Sequence, residues 1–215
     1  TLSARKIWFD DNVQRLNVDG RGCFLGDFKA KDKILTINQK AIIELKSFDI
    51  SNHFDDNMLL IEQLNTKKPI SAIYFDGHKQ AYFVKRFLVA NNTTKFNFIS
   101  DHKDSYLEII TTDWLPQVEV VFVKEKGKER KKQLINIERF INVKGAKAMG
   151  NKLTSKNVKE INLIEPLAYE EAKELIENEV EGTLAIKEIK LNITNITEQE
   201  NPSEENSDGQ ITLEI

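Results

Sequence analysis

Hydrophobic and polar residues alternate with a period of two along most of residues 1–167. Such alternation predicts β-strands that bury one face. Residues 70–75 and 80–89 flank Asp76-Gly77-His78-Lys79, and Asp-Gly is a strong hairpin signal. The other strand-like runs are residues 34–37, 42–45, 107–111, 118–123 and 133–143. We therefore predict an all-β domain of antiparallel hairpins over residues 1–167.

Three of the predicted hairpins share a pattern. They cover residues 7–18, 73–89 and 120–143, and each return strand carries an arginine two positions after a β-branched residue: Arg15, Arg86 and Arg139. Repeats of about 40–50 residues are typical of propeller-like folds. A closed ring needs about four to eight blades. We therefore expect a partial ring of about three blades. For these arginines we favour a repeated structural set over a set of binding contacts.

The pattern changes after residue 167, and residues 168–215 are predicted to form a separate acidic tail. Apolar residues recur at helical spacing over residues 167–181, and Gly182 follows, which predicts a short helix. Residues 184–193 are a possible strand. Residues 198–210 are acidic and of low complexity, which is typical of disorder.

The formal net charge of −3 for the 215 residues is unevenly distributed. Residues 1–167 carry 28 basic and 21 acidic side chains, a balance of +7, whereas residues 168–215 carry −10. The basic body could attract a polyanion. The tail would repel the same polyanion or compete with it, so one hypothesis is that the tail weakens binding. The alternative is that the tail only increases solubility.

Several functional classes find no support in the sequence. No stretch approaches 18 consecutive apolar residues, so no membrane span is predicted. The single cysteine, Cys23, excludes an internal disulfide and a cysteine-based zinc site, which fits a reducing cytoplasm. The glycine-rich residues 145–152 lack the Ser or Thr of a phosphate-binding loop, and the three histidines lack metal-ligand spacing. Because the chain starts at Thr1 without Met, we expect a fragment of a longer protein.

Three segments together resemble a known family. They read S-N-H-F-D-D at residues 51–56, K-P-I-S-A-I-Y-F-D-G at residues 68–77 and Y-F-V-K-R-F at residues 82–87. In this order they resemble the C-terminal domain of bacterial type IIA topoisomerase A subunits. The similarity is closer to topoisomerase IV than to DNA gyrase. It covers about residues 4–167 and includes F-I-N-V-K-G at residues 140–145.

The resemblance implies a β-pinwheel whose basic rim binds and bends duplex DNA for strand passage. It implies a non-catalytic module in the bacterial cytoplasm, associated with the nucleoid. The implied partners are duplex DNA, an upstream breakage-reunion domain and an ATPase B subunit, and no membrane is involved. No cofactor is expected in this chain, whereas the parent enzyme would use ATP and Mg²⁺ elsewhere. The glycine-rich box of gyrase is degenerate here, since residues 19–26 hold one arginine and one aspartate.

Phosphate contacts require exposed cations along a surface. Lys144, Lys147 and Lys152 lie beside Gly145 and Gly150, where a phosphate could approach the backbone closely. The full set of candidate DNA contacts is Arg21, Lys29, Lys31, Lys85, Lys144, Lys147, Lys152, Lys156 and Lys159. The alternative is a propeller-type scaffold that binds other proteins and has no role in nucleic-acid binding.

Overall fold

The computed structural model describes residues 4–168, and almost all of their regular structure is antiparallel β. The early strands are β1 (Arg5–Asp10), β2 (Arg15–Asn17), β3 (Cys23–Phe28), β4 (Ile34–Asn38), β5 (Ile42–Lys46) and β6 (Met58–Gln63). The middle strands are β7 (Ile70–Asp76), β8 (Ala81–Phe87), β9 (Phe96–Asn97) and β10 (Tyr106–Thr111). The last elements are β11 (Gln117–Phe122), β12 (Gln133–Asn136), α1 (Ile137–Phe140), β13 (Asn151–Lys152) and β14 (Val158–Ile164).

The strands form four small sheets that follow one plan. Sheet 1 has the order β2-β1-β3, sheet 2 β6-β4-β5-β9, sheet 3 β10-β7-β8-β13 and sheet 4 β12-β11-β14. In each sheet the first strand in the chain pairs with the second through a hairpin and with the third on its other side. The predicted all-β class of antiparallel hairpins is thereby confirmed.

Neighbouring sheets are linked by exchanged segments. β9 lies in the chain between two strands of sheet 3, yet it pairs with β5 of sheet 2. β13 lies between two strands of sheet 4 and pairs with β8 of sheet 3. His53, between β5 and β6, forms a bridge with Arg15 of β2 in the same way. The chain segments that form sheets 2, 3 and 4 thus each supply a backbone contact to the edge of the preceding sheet.

In the described part of the chain the hydrophobic core consists of three clusters, one between each pair of consecutive sheets. Because side chains alternate along a strand, β7 contributes to two of them. Ala72 and Tyr74 pack towards sheet 2, whereas Ile73 packs with residues of sheet 4. Sheet 3 therefore has both faces covered.

The repeat differs from the pattern read in the sequence. The described residues hold four sheets where about three units were expected, because the β4–β5 hairpin lacks the arginine that defined a unit. The arginines are not structurally equivalent either. Arg15 pairs with Asp10 at the hairpin end, Arg86 pairs with Ser71 near the start of β7, and Arg139 lies in α1. The three arginines therefore do not occupy repeated positions, although Arg86 is a structural residue, as expected.

The α1 turn replaces part of the predicted strand over residues 133–143. The Asn136 side chain accepts hydrogen bonds from the backbone N–H groups of Glu138 and Arg139, which is a helix N-cap. The predicted tail helix, strand and disordered stretch lie outside the described residues. Within residues 4–168, no helix is long and apolar enough to cross a membrane.

Candidate nucleic-acid interface

Residues 143–159, here called the basic segment, carry five lysines and no carboxylate. Its central part, β13, lies in the chain between two strands of sheet 4 and pairs with β8 at the edge of sheet 3. The five lysines lie on the connection between α1 and β14, except the last, which lies on β14 itself. They are Lys144, Lys147, Lys152, Lys156 and Lys159.

Backbone contacts with β8 and its flanks hold the basic segment in place. The Lys144 N–H donates to the Arg86 carbonyl at 2.8 Å, and the Leu153 N–H donates to the Tyr82 carbonyl at 2.8 Å. Between these two points Asn151 lies opposite Val84. A fixed backbone allows the lysine side chains to project from defined positions.

All five lysines of the basic segment are exposed. The Lys144 ammonium donates to Asn151 Oδ1 at 2.9 Å, and the Lys156 ammonium lies 5.1 Å from the centre of the Phe122 ring. Within the described range 4–168, none of these five lysines forms an ion pair. Their charges are therefore available to an external anion.

The hairpin loop of residues 124–132 is also rich in basic residues, but three of them are paired. Lys124 lies 3.0 Å from Glu129 and Lys132 lies 2.9 Å from Glu119, while Arg130 pairs with Glu125. The hydrogen bond with Glu119 raises the pKa of Lys132. Much of the positive charge of this loop is thus compensated within the domain.

Lys85, a candidate from the sequence, lies in the interior and not on the surface. It is only 7% exposed, and its ammonium donates to the Phe98 carbonyl and, at 3.1 Å, to the Ala146 carbonyl. Burial lowers the pKa of Lys85. This buried ammonium cannot reach a phosphate, so the prediction of Lys85 as a DNA contact was wrong. Lys85 is instead a structural residue that holds the basic segment through the Ala146 carbonyl.

The remaining candidates lie on sheet 1 and on the turn that follows it. Arg21 is exposed, but its guanidinium is 3.4 Å from Asp19 and 4.0 Å from Asp10. Lys29 and Lys31 are exposed on the β3–β4 connection. The structure does not bring these three residues into the basic segment, and Arg21 is partly neutralised.

Two features near the basic segment have structural roles. A Cβ atom at Gly150 would overlap the Val84 carbonyl, so this glycine allows close packing on β8 and does not open the backbone to a phosphate. Arg86 is buried and donates to the Trp114 carbonyl at 3.0 Å.

Within residues 4–168, no group of three metal-binding side chains is present.

One potential binding feature was missed in the sequence. The aromatic residues Phe75, Tyr82 and Tyr106 come together on one end of sheet 3, next to the basic segment. The signal was weak, because Tyr106 lies 24 residues from Tyr82 and the register of β10 on β7 includes a bulge. Alternation alone does not give that register.

The strand-exchanged sheets and the exposed lysines define the class as an all-β repeat domain with a cationic surface segment. The model of the family described as topoisomerase C-terminal domain, Bacteroidota, matches residues 15–165. The chain belongs to this family, which confirms the resemblance to a topoisomerase C-terminal domain. No curated protein matches the chain significantly.

Proposed function

We propose that this domain binds duplex DNA through the basic segment and presents it to the strand-passage core of a type II topoisomerase. The observation that carries the proposal is the row of five exposed lysines that have no carboxylate partner within residues 4–168. The domain itself would cleave and hydrolyse nothing. Membership of a topoisomerase C-terminal domain family supports this role.

The charge distribution supports binding that is independent of DNA sequence. Exposed lysines release counterions when they neutralise phosphates, and each such contact adds about −0.9 to the slope of log K against log salt. If all five lysines of the basic segment contact phosphates, the slope from this segment is about −4.5. Sequence-specific contacts would need side chains that read base edges, and lysines alone do not supply that pattern.

The wider assembly belongs to the same proposal. The parent enzyme would be a bacterial topoisomerase IV or gyrase A subunit, with this domain following a breakage-reunion domain. It would act in the cytoplasm with an ATPase B subunit that uses ATP and Mg²⁺. Family membership supports the topoisomerase association, and the lysines of this chain support the DNA contact.

The test uses two variants that remove the same charge from different places. The first is Lys144→Gln, Lys147→Gln and Lys152→Gln in the basic segment. The second, the control, is Lys124→Gln, Arg130→Gln and Lys132→Gln in the hairpin loop, where the cations are paired. Fluorescence anisotropy with a labelled duplex is measured over about 50 to 200 mM salt.

We expect the first variant to lose about tenfold or more in duplex affinity and to flatten the salt slope by about 2.7. The control variant should lose much less. Equal losses in both variants would show that only net charge matters and would remove the basic segment from the proposal. Duplex affinity that is independent of salt in the unmodified chain would contradict DNA binding altogether and favour the protein scaffold.

A further inference from the structure

A compact aromatic cluster lies at the hairpin end of sheet 3. Phe75 pairs with Tyr82 across β7 and β8, and with Tyr106 across β7 and β10, so the three side chains share one face. The Phe75 and Tyr106 rings are 5.4 Å apart and close to parallel. The Tyr82 and Tyr106 hydroxyls are hydrogen-bonded at 2.7 Å. This bond fixes two phenol rings relative to each other.

The cluster borders a groove of about 360 Å³, here called the aromatic groove. Phe75 and Tyr82 line one part of it, and Lys152 and Lys156 of the basic segment line another. The other lining residues are neutral, and several carry hydrogen-bonding side chains: Gln80, Thr154, Ser155 and Asn157. No carboxylate belongs to the lining of this groove in the described chain. The groove therefore combines aromatic rings, cations and neutral hydrogen-bonding groups.

We propose that the aromatic groove binds an unpaired nucleotide of a DNA strand. The base would stack against the Tyr82 and Phe75 rings, and the adjoining phosphates would lie near Lys152 and Lys156. Aromatic rings beside a positively charged path are the usual means by which proteins hold single strands. The inference rests on the proposed function, since both lysines belong to the basic segment.

The exposure of the cluster supports a ligand and not only a packing role. Tyr106 is 43% exposed although it lies in a strand, and Tyr82 is only partly covered by the core between sheets 3 and 4. Glu108, a carboxylate that acts electrostatically on Tyr82, does not line the groove. A planar, neutral base with an anionic backbone complements these surroundings.

A second aromatic pair, of which Phe24 is exposed, provides a matched comparison. Trp8 and Phe24 lie 5.0 Å apart on sheet 1, and the Lys6 ammonium lies 5.4 Å from the Phe24 ring. Unlike Lys152 and Lys156, Lys6 pairs with Asp27 at 3.8 Å. An aromatic pair beside a compensated lysine should not attract a nucleic-acid strand.

The experiment measures binding of a labelled oligothymidine of about twelve nucleotides, a length within the range that single-strand binding sites cover. The full chain is compared with Tyr82→Leu, Tyr106→Leu and, as control, Phe24→Leu. We expect Tyr82→Leu to lose about fivefold or more in single-strand affinity, since leucine cannot stack on a base. Tyr106→Leu should lose less, because Tyr106 does not line the groove and acts through its hydrogen bond with Tyr82. Phe24→Leu should change this affinity less than about twofold. Duplex affinity should change little in all three variants.

A second measurement covers the case in which Tyr82→Leu fails to fold, as judged by thermal unfolding. An oligonucleotide with 5-iodouracil is cross-linked to the unmodified chain, and the linked peptides are identified by mass spectrometry. Links to Tyr82, Phe75 or Tyr106 support the proposal, whereas links confined to other residues overturn it. Competition by free thymidine monophosphate at the affinity of the oligonucleotide would overturn the assignment to a DNA strand.

The failures of the two proposals are distinguishable. Unchanged single-strand affinity in folded Tyr82→Leu and Tyr106→Leu overturns the aromatic groove but leaves duplex binding by the basic segment intact. If the variant with Lys144→Gln, Lys147→Gln and Lys152→Gln keeps both its duplex affinity and its single-strand affinity, the proposed function itself is overturned.

Discussion

The hairpin loop of residues 124–132 and the basic segment of residues 143–159 have similar net charges but differ in how far their cations are paired. The loop has six basic and two acidic side chains, and the basic segment has five basic and none acidic. The formal net charges are therefore close, +4 (6 − 2) for the loop and +5 (5 − 0) for the basic segment. In the structure, three cations of the loop are paired with carboxylates, whereas the lysines of the basic segment form no ion pair within residues 4–168. Local composition is therefore a poor guide to available charge.

The difference follows from what each stretch lies beside. The loop closes the β11–β12 hairpin, and antiparallel strands bring side chains of opposite strands close together. Glu119 on β11 thereby reaches Lys132 near the start of β12. The basic segment instead runs along β8, and its strand partners there are Phe83 and Val84. Apolar partners leave Lys144 and Lys152 without carboxylates, whereas Lys159 lines the same groove as Glu129 of the loop.

The largest expected effect is on stability and comes from changing Lys85, the buried lysine that holds the basic segment. Lys85→Met keeps the length and the apolar stem of the side chain but removes the ammonium that bonds the Phe98 and Ala146 carbonyls. A buried carbonyl that loses its donor costs about 1–3 kcal/mol. We expect the free energy of unfolding, measured with urea, to fall by about that amount.

Lys147→Met is the control for this prediction. It removes an exposed lysine that has no hydrogen-bond or ion-pair partner within residues 4–168, so stability should change by less than about 0.5 kcal/mol. Duplex affinity should show the reverse pattern at temperatures where both variants are folded: Lys147→Met weakens it and Lys85→Met does not. A Lys85→Met variant as stable as the unmodified chain would contradict a structural role.

Alternation in the sequence predicted most strands but not the links between sheets. The long strand β11 has a period of two in its burial, and the positions of β7 and β11 agree with the predicted runs. β9 and β13 have two residues each, which is too short to produce a period. Their pairing depends on the preceding sheet having an open edge, which is a tertiary property. Strand exchange was therefore outside the reach of the pattern.

The candidate site could be predicted in part, and Lys85 shows why. Alternation required Lys85 and Arg86 to point to opposite faces of β8, so one was expected to be accessible. Both are buried, because sheet 3 lies between two other sheets and has no open face at this point. The lysines of the basic segment follow a different rule. They are exposed because they lie on the edge strands β13 and β14 and on the loops beside them, where one side of the backbone is free.

Adding carboxylates to the basic segment, whose lysines are unpaired within residues 4–168, should remove the difference between the two stretches. Asn142→Glu and Ala148→Glu introduce two acidic groups at exposed positions near Lys144 and Lys147 without removing a lysine. If pairing is what separates the two stretches, duplex affinity falls about tenfold at low salt, as if two phosphate contacts were lost. Anisotropy titrations with the labelled duplex measure the change.

The charge-matched control for this variant carries Asn12→Glu and Gln39→Glu. Both positions are exposed on hairpin turns of sheets 1 and 2, and neither belongs to the basic segment. Its affinity should fall by less than about threefold, since only long-range repulsion acts. A fall as large as that of the first variant would mean that net charge, and not pairing, determines affinity.

The smallest expected effect comes from releasing the cations of the hairpin loop. Glu125→Gln and Glu129→Gln remove the partners of Arg130 and Lys124 while keeping the side-chain shapes. The released cations should raise duplex affinity by about threefold, less than a fixed contact would give, because exposed side chains lose entropy when they are held on a phosphate. The control, Asp55→Asn with Asp56→Asn, removes two exposed carboxylates that form no ion pair in residues 4–168. If the control gains as much affinity as the loop variant, pairing within the loop does not limit its charge, and the contrast between the two stretches must have another cause.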